Sequence, residues 1–323
     1  MTTTIRTFEL DDVAAAGRLL AARHAEQRRQ EPLLAARFED PDVAAREVGA
    51  AVADGVTGAV AVDADDVVGY LLGGPKASPT WGANIWVESA EQAVQPGLDA
   101  EVMRDLYGHA AASWVAAGRD VHYVLVPASD AALIDAWFRL AFGQQHVHAV
   151  REIEPVPTGV PAGLLVRQAR REDIPVLAQL DVALPQHQGR APTFSAGLMP
   201  TYDESLADWE DDIDDPAYHH LVVEHDGAVV GAATGCALER SNTNLGLTRP
   251  DHAGFLGFAS VLPESRGLGA GRALGEAVHR WAADSGFTSI ATDWRAANLL
   301  SSRTWPRLGY RPTFLRLHRR LGY

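Results

Sequence analysis

The sequence predicts an α+β (α/β) protein built from two tandem copies of one domain, each a mixed sheet with helices on both faces. Three observations predict it. A pattern recurs with a long period, a proline-rich junction lies near mid-chain, and strand and helix signals follow the same order on either side of it. A chain of 323 residues is too long for one ordinary core and suits two domains of about 150 each.

The repeat rests on three matches. Ile5-Arg6 with Asp12-Val13 corresponds to Val166-Arg167 with Asp173-Ile174, at an offset of 161. Val67-Val68-Gly69 with Gly73 corresponds to Val229-Val230-Gly231 with Gly235, at 162. Trp137-Phe138-Arg139-Leu140 corresponds to Trp305-Pro306-Arg307-Leu308, at 168. Same order and slowly drifting offset indicate a duplicated domain, since solenoid repeats have periods of only about 20–50 residues. Between the copies, residues 154–163 hold three prolines and two glycines. Proline blocks helix and central strand, so this segment reads as an extended linker between domains at 1–153 and 164–323.

The elements follow in order. A short strand (5–8; 165–169) leads to a helix beginning near Asp11-Asp12 or Glu172-Asp173, acids suited to a helix N-terminus. A hairpin of apolar strands comes next, 59–62 with 67–72 and 221–224 with 228–238, the second turning on Asp226-Gly227. The C-terminal copy continues with an apolar strand at 254–262, a glycine-rich turn and a helix at 271–284. A strand at 288–293, a helix at 298–308 and a last strand at 313–317 complete it.

Composition narrows the classes. No apolar run approaches the roughly 18 residues that span a bilayer, and the N-terminus shows no signal-peptide pattern. Cys236 is the only cysteine, which excludes an intrachain disulfide and a multi-thiolate metal site. A cytoplasmic protein without membrane partner or metal is expected. The net charge of −14 argues against broad nucleic-acid binding, which needs a basic face. That charge is uneven: residues 1–150 carry −10, residues 151–264 carry −11 and residues 265–323 carry +7. A cationic end on an anionic protein suits one local polyanion, although a solvated basic helix and tail has the same signature.

The informative stretch is Val261-Leu262-Pro263-Glu264-Ser265-Arg266-Gly267-Leu268-Gly269-Ala270-Gly271-Arg272. A strand ends, the chain turns on three alternating glycines, and a helix begins. Glycines let successive N–H groups point inward, and the helix adds its own free N–H groups and positive dipole end. Such a turn holds phosphates. No Lys-Ser/Thr follows, so it is no Walker loop, and its spacing is a poor dinucleotide fingerprint.

This pattern resembles the GCN5-related N-acetyltransferases (GNAT). Their Gln/Arg-x-x-Gly-x-Gly/Ala motif is filled by Arg266, Gly269 and Gly271, and their Val-x-Pro by Val261-Leu262-Pro263. Downstream, Asn298, Trp305 and Gly309-Tyr310 stand at the family's spacings. The resemblance covers about residues 164–323. It implies a mostly antiparallel GNAT sheet in each copy and acetyl-CoA as co-substrate. Main-chain groups of Ala259, Ser260 and Val261 are expected along the pantetheine arm. The amides of Gly267, Leu268, Gly269, Ala270, Gly271 and Arg272 are expected around the pyrophosphate. Arg266 would order the loop or contact phosphate, and Asn298 would contact the cofactor or cap its helix.

The sequence departs from the family where many members place a tyrosine that protonates the leaving thiolate. Trp305 stands there, and indole N–H is a donor only, so it is expected as a packing residue or cofactor-pocket wall. Ser302, with Ser301 and Tyr310 as alternatives, is the expected proton donor, unless water serves or the thiolate leaves unprotonated. Asp293 is the expected general base, with Glu239, His252 or a water chain as alternatives. The run Asp203 to Asp215 holds eight carboxylates and no base, either a solvated loop or a field that attracts a cationic amine. Tyr202, Trp209 and Glu239 are the expected acceptor contacts.

In the N-terminal copy the phosphate loop would fall at Gly97-Leu98-Asp99-Ala100-Glu101-Val102, where two carboxylates repel pyrophosphate. That copy reads as degenerate. The expected activity is transfer of an acetyl group from acetyl-CoA to a small, cationic amine at one C-terminal site, by direct attack with strand N–H groups near Val261 stabilising the oxyanion. A non-catalytic acyl-CoA sensor is the alternative, and a homodimer is left open. A tRNA-dependent aminoacyl transferase is disfavoured by the charge and by the single lysine, Lys76.

Overall fold

The amphipathic signals of the first copy become, in the computed structural model, β1 (Thr4–Thr7), α1 (Val13–Gln30), α2 (Pro41–Ala53), β2 (Thr57–Asp63) and β3 (Asp66–Ser78). There follow β4 (Gly82–Val87), β5 (Gln92–Val94), α3 (Glu101–Ala116), β6 (Val121–Pro127), α4 (Ala131–Arg139) and β7 (Gly143–Glu152). The second copy gives β8 (Leu164–Gln168), α5 (Ile174–Gln188), α6 (Tyr202–Asp212), β9 (Tyr218–His225), β10 (Ala228–Ala237) and β11 (Ala253–Val261). It continues through α7 (Ala270–Asp284), β12 (Ser289–Arg295), α8 (Leu299–Arg307) and β13 (Arg311–Arg320). The structure describes residues 3–78, 81–154, 160–195, 197–242 and 244–322. Residues 155–159 of the expected linker lie outside them.

The chain divides into two units. One is Met1–Val147 with Leu245–Arg249 and Pro312–Tyr323; the other is His148–Asn244 with Pro250–Arg311. The expectation drawn from the linker put the division at residues 154–163. The final strand, read from the sequence with the second copy, here completes the sheet of the first unit. Packing explains this: Phe314 and Leu317 are fully buried on opposite faces of β13, each in one of the first unit's two cores. Leu247, fully buried, joins the same unit's core.

In the first unit the strand order is β1-β2-β3-β4-β6-β13, with β5 paired to β3. Its pairs are antiparallel apart from the parallel β4–β6. Helices α1 and α2 cover one face against Val60, Tyr70 and Leu72. Helices α3 and α4 cover the other against Ala59, Ala61 and Leu71. The period-two alternation of β2 and β3 decides which residue serves which core.

In the second unit the order is β8-β9-β10-β11-β12, with residues 148–152 of β7 beyond β12. β11–β12 is parallel; β8–β9, β9–β10 and β10–β11 are antiparallel. Asp226 (φ 51°) and Gly227 (φ 80°) form the β9–β10 turn, the left-handed pair that a two-residue hairpin demands. Helix α5 packs Ile174, Leu177 and Leu180 on Val222 and Ala232. Each unit repeats one entry device. Arg6 grips Asp12 with two bonds of 2.7 Å, and Arg167 grips Asp173 at 2.7 and 2.9 Å. Both acids also accept a main-chain N–H at 2.8 Å, fixing the strand-to-helix turn.

Candidate active site

The site begins where two strands part. The β11–β12 register runs from Ala253↔Ser289 to Leu256↔Thr292, and the Thr292 hydroxyl closes it by donating to Leu256 O at 2.9 Å. Beyond that pair β11 continues to Val261 beside β10. Leu262 N donates to Val230 O at 2.9 Å, so alternation turns the main-chain groups of Ser260 toward β10. Those of Ala259 and Val261 face the opposite side, into the gap. One residue earlier the β10–β11 register shifts, with Thr234 opposite Phe258 and Gly235 opposite Leu256. Gly257 is the unpaired residue of that bulge, and it is exposed.

The turn after β11 is shaped by Gly267 (φ 89°) and Gly269 (φ 86°), in left-handed conformations that other residues resist. Gly269 is the N-cap of α7, with no side-chain cap bond. The first turn of α7 therefore presents its N–H groups and dipole to whatever lies in front. A Cβ on Gly267 would meet nothing within 4 Å, whereas one on Gly269 would lie 3.3 Å from Pro161 Cγ.

Helix α8 supplies the facing wall. Asn298, 3% exposed, is its N-cap and accepts from Leu300 N at 3.2 Å. His187, near the end of α5, lies 3.3 Å from Asn298 Oδ1 by Nε2 and 3.5 Å from Arg266 Nη1 by Nδ1. One tautomer satisfies both contacts: Nε2–H donates to Asn298 and Nδ1 accepts from Arg266. Trp305 and Leu308 floor the cleft and press on Gly275 of α7, where a Cβ would lie 2.7 Å from Leu308 Cδ1. The cleft has a volume of about 540 Å³, and Arg266, Arg272 and Arg307 line it.

A second cavity, of about 360 Å³, opens in the same unit beside the bulge. Gly257, Phe258, Thr234 and Cys236 come to it from the sheet, Asp181 from α5, and Asp208, Trp209 and Asp212 from α6. Tyr218, His220, Arg240, Ser241 and Phe255 complete the lining. His220 Nδ1 is 3.0 Å from Thr234 Oγ1, and burial pushes its imidazole below the ordinary range. Burial likewise pushes the Cys236 thiol up.

A strand splayed from its parallel neighbour, a bulge at the splay and a glycine turn feeding a bare helix N-terminus form one arrangement. Residues 181–310 match the acetyltransferase (GNAT) family. That stretch carries the family's domain. The whole chain also has the fold of a GCN5-related N-acetyltransferase from Sphaerobacter thermophilus. That match has 16% identity and a TM-score of 0.56, and it covers 99% of this chain and 97% of that one. A GCN5-related glucosamine N-acetyltransferase region of a fungal multi-domain GH3 beta-N-acetylglucosaminidase gives 15% identity and a TM-score of 0.51. It covers 98% of this chain and 38% of that one. At these identities the likeness is one of fold. No curated protein sequence is significantly similar to this chain.

Within the GNAT domain the expected residues fall into two groups. Ala259, Ser260, Val261, Arg266, Gly267, Gly269, Ala270, Gly271, Arg272, Asn298 and Trp305 all line the 540 Å³ cleft, and Trp209 lines the smaller cavity. Leu268, Asp293, Ser302, Tyr202 and Glu239 line neither. Ser302 Oγ donates to Ala296 O at 2.8 Å, and Tyr202 is 44% exposed, its hydroxyl donating to Pro175 O. Tyr310 is 3% exposed, its hydroxyl pushed well above the ordinary range by burial. Ser301 is the expected hydroxyl that lines the cleft. His187, Asp181 and His220 were not foreseen. Their roles depend on which helix face or strand face meets the cavity, which single residues in a sequence do not announce.

The first GNAT-like unit occupies part of the corresponding place with its own side chains. By strand register Leu71 pairs Gln92 as Ala233 pairs Ala259, so Gln92 stands for Ala259. Its carbonyl is taken by Arg23 Nη1, and Arg23 Nη2 donates to Ser89 O at 2.6 Å. The Gln92 amide crosses to Leu125 O on β6 at 2.7 Å, bridging the gap between β5 and β6 at that point. Beyond the bridge a cavity of about 440 Å³ remains, lined by Val94, Gly97, Leu98, Ala100 and Asp130. Asp99 accepts from Glu101 N at 2.9 Å, spending a first-turn N–H of α3. Asp130 caps α4 where the second unit has Asn298. Among the described residues no helix is long and apolar enough to cross a membrane, and no group of three or more His, Cys, Asp or Glu could hold a metal ion.

Proposed function

We propose that the second unit transfers the acetyl group of acetyl-CoA to the primary amine of a small cationic molecule, at the only working site of the chain. One observation carries this reading: consecutive residues of β11 line both cavities. Gly257 and Phe258 belong to the smaller one, and Ala259, Ser260 and Val261 to the larger. A donor held along the cleft and an acceptor held in the acidic cavity meet across a single turn of backbone, the proximity that a two-substrate reaction needs.

The residues present fit acetyl-CoA. The turn amides and the uncapped end of α7 suit a pyrophosphate, helped by the guanidinium groups of Arg266, Arg272 and Arg307. The outward main-chain groups of Ala259 and Val261 suit the amides of a pantetheine arm, as a missing strand would. Bound acetyl-CoA supplies the activated thioester carbonyl. Backbone N–H groups in the gap stabilise negative charge that develops on the carbonyl oxygen. The amine must lose a proton before it attacks, and neutral His220 lines the cavity in which it sits. Ser301, a hydroxyl that lines the cleft, would be the proton donor to the leaving sulfur. A thiol with a pKa near about 8.5 also departs tolerably as thiolate, so Trp305 need not donate.

The single-site reading is supported by what the first unit places around its corresponding cavity. Glu26 and Asp130 line it, and Asp99 occupies a first-turn N–H of α3, so a pyrophosphate would be repelled there and that unit's role would be structural. A cytosolic location agrees with one buried thiol, Cys236.

The deciding experiment titrates acetyl-CoA calorimetrically into the wild type and into Gly269→Asp, and assays an amine panel on the same preparation. One site of micromolar affinity, lost in the variant, together with thiol release on adding amine, is the expected result. Binding without turnover of any amine would leave an acyl-CoA sensor. No binding by the wild type would sink the reading.

A further inference from the structure

The acidic cavity holds more negative charge than an attacking amine can use. Asp208 and Asp212 stand one turn apart on α6, both facing the cavity, and Asp181 faces them from α5. Among the described residues none of the three has an ion-pair partner; Asp181 accepts a single hydrogen bond from Ser205 Oγ at 2.8 Å. Arg240 is the only cation lining the cavity, and its charge is already engaged. Asp215 lies 3.8 Å from its guanidinium, and the Tyr218 ring lies 4.8 Å away.

A nitrogen that attacks a thioester must be uncharged. Carboxylates close to it would hold it protonated and slow the reaction. Three carboxylates beside the acceptor position are therefore a disadvantage unless something else in the substrate takes their field. A second cationic centre, which stays charged throughout, does this. It is attracted by the carboxylates and in turn lowers the proton affinity of the reacting nitrogen.

A second, independent feature marks the cavity as a ligand site. His220 is 6% exposed and lines it, and its Nε2 has no hydrogen-bond partner in a buried position. A buried polar nitrogen left unpaired is costly, and a ligand N–H group would satisfy it. The neighbouring Trp209 ring, 4.9 Å from His220, gives the same ligand an aromatic face suited to a cation.

We infer that the acceptor is a diamine: a primary amine whose second, permanently protonated nitrogen is held by Asp208, Asp212 and Asp181 while the first faces the β11 bulge. This rests on the acetyl-transfer reading for the fate of the first nitrogen, but not for the binding of the second. A cavity of about 360 Å³ holds a short diamine whole.

The test uses 1,4-diaminobutane and n-butylamine, nearly equal in length and differing by one charge. Each is titrated calorimetrically into the full-length protein saturated with CoA, in the wild type and in Asp208→Asn/Asp212→Asn. The wild type is expected to bind the diamine at least about tenfold more tightly than the monoamine, and the double variant to lose that advantage while keeping its CoA affinity. Equal affinities, no binding of either amine, or an advantage that survives in the variant would overturn the inference. Thiol release from acetyl-CoA is read on the same samples. A diamine that binds as expected yet is never acetylated would refute the transferase reading and leave the diamine site standing.

Discussion

The guanidinium of Arg23 is bonded to the main-chain carbonyl of Gln92, the residue that holds in the first unit the place of Ala259 in the second. The same strand edge is thus spent internally in one copy and left free in the other. Beyond that buried arginine and glutamine the first unit keeps a cavity of about 440 Å³, lined by Glu26 and Asp130.

Arg23→Ala removes the donors to two carbonyls, Gln92 O and Ser89 O. Unsatisfied buried groups cost about 1–3 kcal/mol each, so chemical denaturation should show a loss of about 2–6 kcal/mol. Acetyl-CoA should still bind at one site per chain with unchanged affinity. A stoichiometry of two in the wild type would contradict a single working cleft.

Gly269→Ala forces a Cβ into φ 86° and to 3.3 Å from Pro161 Cγ. Left-handed backbone costs other residues about 1–2 kcal/mol. Acetyl-CoA affinity should fall roughly tenfold by calorimetry, since about 1.4 kcal/mol is a factor of ten. Gly269→Asp adds a negative charge at the pyrophosphate position, and its loss should be larger still.

Trp305 is a packing residue here, 7% exposed, with its ring edge-on to Tyr310 at 6.2 Å. Trp305→Phe should keep turnover within a few-fold, because no proton passes through the indole. Trp305→Ala should cost about 3–5 kcal/mol of stability, read by urea unfolding. A collapse of kcat in a well-folded Trp305→Phe would mean that the indole N–H serves the reaction directly.

Arg167 holds the Asp173 carboxyl below the usual carboxylate range, against the opposing effect of burial. A carboxylate with a depressed folded pKa stabilises above its unfolded pKa of about 3.9, and that contribution is lost as pH falls through the lower folded value. Asp173→Asn should therefore destabilise the second unit by about 2–3 kcal/mol at pH 7. The gap to wild type should be full at pH 6 and shrink below about pH 4. A gap that widens on acidification would reverse the sign of this contribution.

The fold was legible in the sequence because its signals are local. Asp226-Gly227 demanded a left-handed turn, and the strands on either side formed at the expected residues with ends moved by a few positions. The glycine turn at 267–271 was legible for the same reason, since only its own backbone sets its shape. His187 was not legible. It lies 79 residues from Arg266 and 111 from Asn298, and nothing near it in sequence hints at either. Tyr202 and Glu239 have residue types suited to contacting an amine, yet Tyr202 faces solvent and Glu239 stands outside the smaller cavity.

By itself, the sequence determined the duplication, the order of elements and the glycine turn, because hydrophobic period and glycine conformation are properties of neighbouring residues. Tertiary structure alone decided the strand that completes the first unit, the bond of Arg23 to Gln92, and the carboxylates that share the smaller cavity of the second unit. Those depend on burial and on partners far apart in the chain, where local preference is silent and packing selects.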